Sequence, residues 1–281
     1  MSEALAFGRE RLHFSGDDGR FDALRLLEET LSQNAAWLLA HARDPLGATL
    51  FERYVAAIDR RAAGEPVAYI VGNAGFYGRT FAVTPAVLVP RPETELLVDF
   101  ACEALRGRGL AAPRLCDVGT GSGILAITLA CELPAARVTA IDISQPALDV
   151  AARNAVAHAV ADRVSFVLGD TFAALEAGSA FDCVVANLPY ISSGDLAPAA
   201  TALPFEPRLA VDGGGDGLDP YRRLLATAPR RLAAGGVMLL EAGLDTTFAL
   251  AKLAAERFGS AACVHVHRDY AGHPRVVDVR T

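Results

Sequence analysis

The stretch Leu115-Cys116-Asp117-Val118-Gly119-Thr120-Gly121-Ser122-Gly123 constrains the fold of this chain more than any other. It reads as a strand entering a glycine-rich turn that opens a helix over 124–132. Glycines let the backbone turn tightly, approach a ligand closely and bring a helix N-terminus up to it. Strand candidates then recur at 137–141, 164–168, 182–186 and 237–242, after the first at 114–118. Helical stretches near 145–158, 172–177 and 220–232 lie between them. Such alternation implies an α/β fold with a Rossmann-like, mostly parallel sheet and helices on both faces. Two more strands at 261–267 and 275–280, turning at Gly272-His273-Pro274, read as a terminal antiparallel pair.

Upstream the texture differs. Leu24, Leu27, Leu31, Ala35 and Leu38 recur at steps of three and four, which predicts an amphipathic helix across 21–43. A second is expected over 49–61, with Phe51, Val55 and Ile58 on one face, after a turn at Asp44-Pro45-Leu46-Gly47. With a further segment around 3–12, residues 1–64 are expected to form a small helical domain. Beyond Gly64-Glu65-Pro66, residues 68–72 and 78–83 read as short strands of a β-hairpin linker over 65–89. Pro90-Arg91-Pro92-Glu93-Thr94-Glu95 then starts a helix and the main domain, 90–281. Pro92 suits a first helical position, and the two glutamates suit the positive end of the helix dipole.

Composition narrows the function. A chain of 281 residues can build its core without a disulfide or metal. Net charge is −7, with no block of Lys or Arg, which weighs against a nucleic acid held by its phosphates. Five scattered cysteines without a Cys-x-x-Cys pair fit reduced core thiols, and six dispersed histidines suggest no metal site. The apolar run 124–133 contains Thr128 and Glu132 and falls short of the roughly 20 residues that span a bilayer. The first 20 residues lack the apolar core of a secretory signal. A cytoplasmic monomer with no membrane partner is therefore expected.

The strand ends carry the chemistry. A Gly-x-Gly-x-Gly spacing alone could serve a dinucleotide, but the dinucleotide fingerprint places its third glycine elsewhere. Asp117, just before the glycines, would repel a pyrophosphate and pair with a cationic amino group. Asp142, 19 residues after Gly123, could take both hydroxyls of a ribose, and Asp170 could accept from an adenine amino group. Each carboxylate alone could be a helix cap or a solvated side chain. Three of them at the carboxyl ends of successive strands, where open α/β sheets bind ligands, point to a nucleoside with a positively charged amino-acid tail: S-adenosylmethionine.

At the next strand end stands Asn187-Leu188-Pro189-Tyr190. Pro189 disfavours a helical Leu188, so the backbone should be extended with its carbonyls free. The Asn187 side-chain oxygen and the Leu188 carbonyl could each accept one N–H of a planar –NH2 group, with the Tyr190 ring against its face. Asn and Pro are also ordinary turn residues, and the segment taken alone could be a turn.

These motifs together resemble the protein-(glutamine-N5) methyltransferases that modify peptide-chain release factors. The resemblance also covers Gly64-Glu65-Pro66-Val67-Ala68-Tyr69-Ile70, Pro85, Leu88-Val89-Pro90-Arg91-Pro92-Glu93-Thr94-Glu95 and Phe205-Glu206-Pro207-Arg208-Leu209-Ala210. It implies a class I methyltransferase sheet with S-adenosylmethionine as cofactor and the glutamine of the release-factor Gly-Gly-Gln loop as substrate. It further implies that Asn187, Leu188, Pro189 and Tyr190 hold the glutamine, with Arg91, Glu93, Phe205 and Glu206 also facing the substrate. The cofactor would rest on Gly119, Thr120, Gly121, Ser122 and Gly123 of the turn, with Asp117, Asp142, Asp170 and Asn187. Leu188 departs from the family's usual first proline, and its carbonyl is the group expected to act. Thr171 stands where relatives often carry an aromatic, so Ile143 or Phe172 is expected to supply apolar contact to adenine. An adenine-N6 methyltransferase shares the Asn-Pro-Pro-Tyr signature and would present the same –NH2 geometry, though the acidic charge disfavours it. A cofactor-binding module without activity is opposed by the intact Asp117, Asp142 and Asn187.

Overall fold

Contacts divide the chain, in a computed structural model that describes residues 1–13, 18–196 and 205–281, into a unit Met1–Asn73 and a unit Ala74–Thr281. The first holds α1 (Ser2–Arg11), α2 (Asp18–Leu31), α3 (Ala35–Ala40), α4 (Ala48–Ala62) and α5 (Val67–Val71) around a core that includes Leu26, Leu27, Leu38, Tyr54 and Ile58. The single helix expected over 21–43 is two. The chain breaks after Leu31, and the Asn34 side chain accepts from the Trp37 N–H at 2.9 Å to cap α3. Periodicity survives the break because Leu38 still reaches the same core.

Residues 68–72 correct another expectation, for they form helix α5 and its cap instead of a strand. A five-residue apolar run carries too little periodicity to choose between the two. Gly72 ends the helix in the left-handed region, at φ 76°. The hairpin comes directly after, as β1 (Asn73–Phe76) and β2 (Arg79–Ala82). Its two loop residues, Tyr77 and Gly78, both have positive φ, the form that matches the twist of paired strands.

The second unit is built on a seven-stranded sheet of β3 (Arg114–Val118), β4 (Arg137–Asp142), β5 (Val164–Leu168), β6 (Phe181–Ala186), β7 (Leu232–Glu241), β8 (Cys263–Arg268) and β9 (Pro274–Arg280). Its order is β5-β4-β3-β6-β7-β9-β8, with β9 antiparallel to both neighbours and the other pairs parallel. Helices α6 (Glu95–Arg106), α7 (Ile124–Glu132), α8 (Gln145–Ala157), α9 (Asp219–Leu225) and α10 (Thr247–Phe258) flank it. Alternate residues feed two cores: Leu115, Cys183 and Val185 pack in one, Cys116, Val184 and Ala186 in the other. The fully buried thiols of Cys116 and Cys183 are pushed up by burial, as suits core cysteines.

Helix α10 was absent from the sequence expectations, although Leu250, Ala254 and Phe258 bury one face at a spacing of four. The helix expected at 172–177 is a 3₁₀ turn, Thr171–Ala174, and the one expected at 220–232 ends at Leu225 with a separate 3₁₀ turn at Ala228–Arg230. Because β3 to β7 run parallel, their carboxyl ends bring Val118, Asp142, Leu168, Ala186 and Glu241 to one edge of the sheet.

Candidate active site

A cavity opens at that edge, and the glycine-rich turn forms its floor. Val118, Gly119, Thr120, Gly121 and Ser122 line it. The three glycines do different work. A Cβ on Gly119 would lie 2.7 Å from Leu188 Cδ2, so this glycine makes room for the Asn-Leu-Pro-Tyr segment. One on Gly123 would lie 2.7 Å from Ile127 Cδ1 and 3.1 Å from Ala151 Cβ, so it lets α7 approach α8 and does not line the cavity. Gly121 has φ 55°, and a Cβ there would meet no protein atom within 4 Å. The space its side chain would fill is left open to a ligand.

The acidic strand ends also separate. Asp117 does not line the cavity: it is fully buried beneath the turn, where Oδ2 accepts from the Thr120 hydroxyl at 2.6 Å and the Ala126 N–H at 3.0 Å. The physical reason is the start of α7, whose first-turn N–H groups have no partner within the helix and welcome a carboxylate. Its Oδ1 has no hydrogen-bond partner, and burial pushes the group up to about 7. Asp142 lines the cavity, with Oδ2 accepting from Gly121 N–H at 2.8 Å and Oδ1 from Ser144 N–H at 2.9 Å. Burial raises it and those N–H groups pull it back. Asp170 lines the cavity too and pairs with Arg223 at 2.9 Å, a partner not foreseen from the sequence.

Beside Asp142, the half-exposed Ile143 lines the cavity, as does Thr171, which is held at φ 51°. Phe172 does not. It is buried in the core, stacked on Phe181 at 6.4 Å between ring centres with the Arg231 guanidinium 5.9 Å from its own. Of the two apolar residues offered for the adenine, only Ile143 lines the cavity.

Asn187, Leu188 and Pro189 close the opposite side. Asn187 Nδ2 donates to Thr94 Oγ1 at 3.0 Å, which leaves Oδ1 as the free end of the amide. Leu188 N–H donates to the Tyr221 hydroxyl at 3.1 Å, and that hydroxyl also lies 3.2 Å from the Leu188 carbonyl. The single proton of that hydroxyl can go to only one of the Leu188 and Glu241 carbonyls, and a carbonyl oxygen has two lone pairs, so the Leu188 oxygen keeps acceptor capacity. Tyr190 stands outside the cavity lining. Its ring packs where a Cβ on Gly243 would come within 3.1 Å, and its hydroxyl lies 3.5 Å from Glu241 Oε1. Burial and the nearby Glu241 push it up to about 12.

Comparison with known proteins gives this geometry a family. Residues 3–72 match the model described as PrmC N-terminal domain, and residues 115–203 match one described as methyltransferase domain. The release factor glutamine methyltransferase of Bordetella pertussis is 43% identical over 257 residues, 92% of this chain and 93% of that protein. The enzyme of the same description from Cereibacter sphaeroides is 42% identical over 283 residues, 99% of this chain and 98% of its own. The chain belongs to the release factor glutamine methyltransferase family. Among solved structures, a 16S rRNA methyltransferase of T. thermophilus aligns over 74% of this chain and 49% of its own, with TM-score 0.55 and 22% identity, a likeness of fold alone.

Within a release factor glutamine methyltransferase, the remaining expected substrate residues take other places. Arg91 lines the cavity but pairs with buried Glu206, while Glu93 is exposed and neither it nor Phe205 lines the cavity. Three residues that shape the site had no assigned role in the sequence: Thr94, Tyr221 and Glu241. Glu241 was detectable as a lone carboxylate ending the apolar run Met238-Leu239-Leu240. It is pushed up to about 7 by burial, against the Thr94 hydroxyl and Arg275, which pull it down. Among the described residues, no group of three or more His, Cys, Asp or Glu side chains is placed to hold a metal, and no helix is long and apolar enough to cross a membrane.

Proposed function

We propose that this chain transfers the methyl group of S-adenosylmethionine to the side-chain amide nitrogen of the glutamine in the Gly-Gly-Gln loop of peptide-chain release factors. The carrying observation is that Asn187, Leu188 and Pro189 line the same cavity as Gly121 and Asp142. The residues present fit the cofactor. The open space at Gly121 suits a group resting on backbone, the Asp142 oxygens suit ribose hydroxyls, and the half-exposed Ile143 offers an apolar face to adenine. Asp170 and Thr171 complete that side.

When bound, the cofactor supplies a sulfonium methyl, an electrophile with a good leaving group. The protein's part is orientation. An amide nitrogen is a weak nucleophile because its lone pair is delocalised into the carbonyl. Asn187 Oδ1 and the Leu188 carbonyl would accept its two N–H bonds and favour positive charge on nitrogen as the new bond forms. Such fixed orientation is worth up to about 7–11 kcal/mol in good intramolecular models. Solvent can take the proton afterwards, so no strong base is needed.

The helical unit Met1–Asn73 is assigned to release-factor recognition, and the enzyme is placed in the cytoplasm as a monomer. Mass spectrometry of the Gly-Gly-Gln peptide after incubation with release factor and cofactor tests the reading. The expected result is one added methyl on that glutamine, lost in Asn187→Ala. Methyl transfer to DNA with none to release factor would overturn it.

A further inference from the structure

The ladder between β6 and β7 stops just before the substrate segment, and a side chain takes over its work. The last paired residues are Ala186 and Leu240. Two positions beyond Ala186, the Leu188 N–H donates to the Tyr221 hydroxyl at 3.1 Å. The same hydroxyl lies 3.2 Å from the Leu188 carbonyl and within hydrogen-bond reach of the Glu241 carbonyl at the end of β7. Pro189 keeps Leu188 out of the helical region, and the N–H and C=O of an extended residue point to the same side, so one hydroxyl can reach both. The Tyr221 ring is fully buried in the core that also holds Leu218, Leu224 and Met238, which leaves the hydroxyl no freedom to move away.

We propose that Tyr221 is a positioning residue whose hydroxyl pins the backbone of Leu188 and so fixes the direction of the carbonyl that receives one N–H of the substrate amide. This rests on the amide-methylation reading above. A proline at 188 would fix its own φ with its ring; a leucine must be held from outside, through its N–H. Leu188 is buried, so an N–H that lost the hydroxyl would find no water in its place, and the peptide would turn toward another acceptor. The carbonyl belongs to the same residue and would turn with it. Burial, together with Glu241, keeps the Tyr221 hydroxyl protonated, so it can accept from Leu188 and donate to a carbonyl at the same time.

The cost of losing the hydroxyl then depends on the residue at 188. With leucine, the loss frees a backbone angle that the hydroxyl holds. With proline, there is no N–H to strand and the angle stays fixed. A tyrosine that only filled the core would be indifferent to that change, since phenylalanine fills the same space.

Two measurements on the full chain test this. In kinetics with release factor, Tyr221→Phe should lower kcat by about tenfold or more, the scale of one lost hydrogen bond, with little change in the KM for cofactor. In a Leu188→Pro background, whatever the turnover of that variant, adding Tyr221→Phe should cost less than about threefold, the coupling expected of two residues in contact. The second measurement needs no turnover: the Leu188 amide should exchange its hydrogen slowly in wild type and at least about tenfold faster in Tyr221→Phe, while amides within β6 keep their protection. Should Tyr221→Phe alone fail to fold, adding Leu188→Pro is expected to restore the fold, and a double variant that also fails would overturn the proposal. Wild-type kcat in Tyr221→Phe, an equal loss with leucine and with proline at 188, or an unchanged Leu188 exchange rate would each overturn it too. A Leu188 amide freed by Tyr221→Phe in a chain that methylates no release factor would support the pin and sink only the substrate reading.

Discussion

Nη2 of Arg91 sits between both carboxylate oxygens of Glu206, at 2.8 and 2.7 Å, and so joins residues 115 apart in sequence. The Glu206 side chain is fully buried, Arg91 is 37% exposed, and Val89 N–H also donates to Glu206 Oε1 at 3.2 Å. Two residues expected to face the substrate thus hold each other. Their effect on the cavity is indirect, since Pro207, Leu209 and Ala210, which line it, directly follow.

Glu206→Ala should therefore act first on stability. It leaves the Val89 N–H without its acceptor and strands Arg91, whose partial exposure lets water recover some of the loss. A destabilisation of about 1–3 kcal/mol is expected, read as a lower urea midpoint with an unchanged slope. A midpoint equal to wild type would show that the pair contributes nothing.

Gly121→Val should abolish cofactor binding while the fold survives. The residue sits at φ 55°, where an L side chain costs about 1–2 kcal/mol, and its side chain would project into the open cavity. Calorimetry with S-adenosylmethionine should show an affinity at least about tenfold weaker. Undiminished affinity would place the cofactor elsewhere.

Asp117 ties stability to pH. Its folded value of about 7 lies above the ordinary carboxylate range, so between the two the folded chain holds a proton that the unfolded chain lacks. Its contribution to stability is present at low pH and is lost as pH rises toward 7; Glu241 acts with the same sign. Asp117→Asn cannot titrate. Relative to that variant, wild type should lose up to about 1.4 kcal/mol per pH unit between about pH 5 and 7 in chemical unfolding. A constant difference across that range would refute the assignment.

Leu188→Pro would install the proline that the family resemblance leads one to expect at this position, yet here it removes a donor. Leu188 N–H bonds the Tyr221 hydroxyl, and the Leu188 side chain fills the room left by Gly119. The loss of about 0.5–1.5 kcal/mol from the hydrogen bond is offset in part by the stiffer unfolded chain. Thermal unfolding should shift by a few degrees at most, and turnover should persist because the carbonyl at 188 is retained. A complete loss of turnover would mean that the side chain, not the carbonyl, is what matters.

By itself the sequence determined the alternating architecture, the glycine turn and the strand ends that carry Asp142, Asp170 and Asn187, because those depend on local periodicity and on a rule of sheet topology. Periodicity failed where elements are short, as at α5, and the spacing of Leu250, Ala254 and Phe258 went unread. Tertiary structure alone decided what each polar group touches. Asp117 went to the start of α7, Phe172 and Tyr190 left the cavity, and Arg91 found Glu206. Thr94 met Asn187 across 93 residues. A buried carboxylate or hydroxyl takes whichever partner the packed fold brings within 3 Å, and partners separated by a hundred residues leave no periodic trace in the chain.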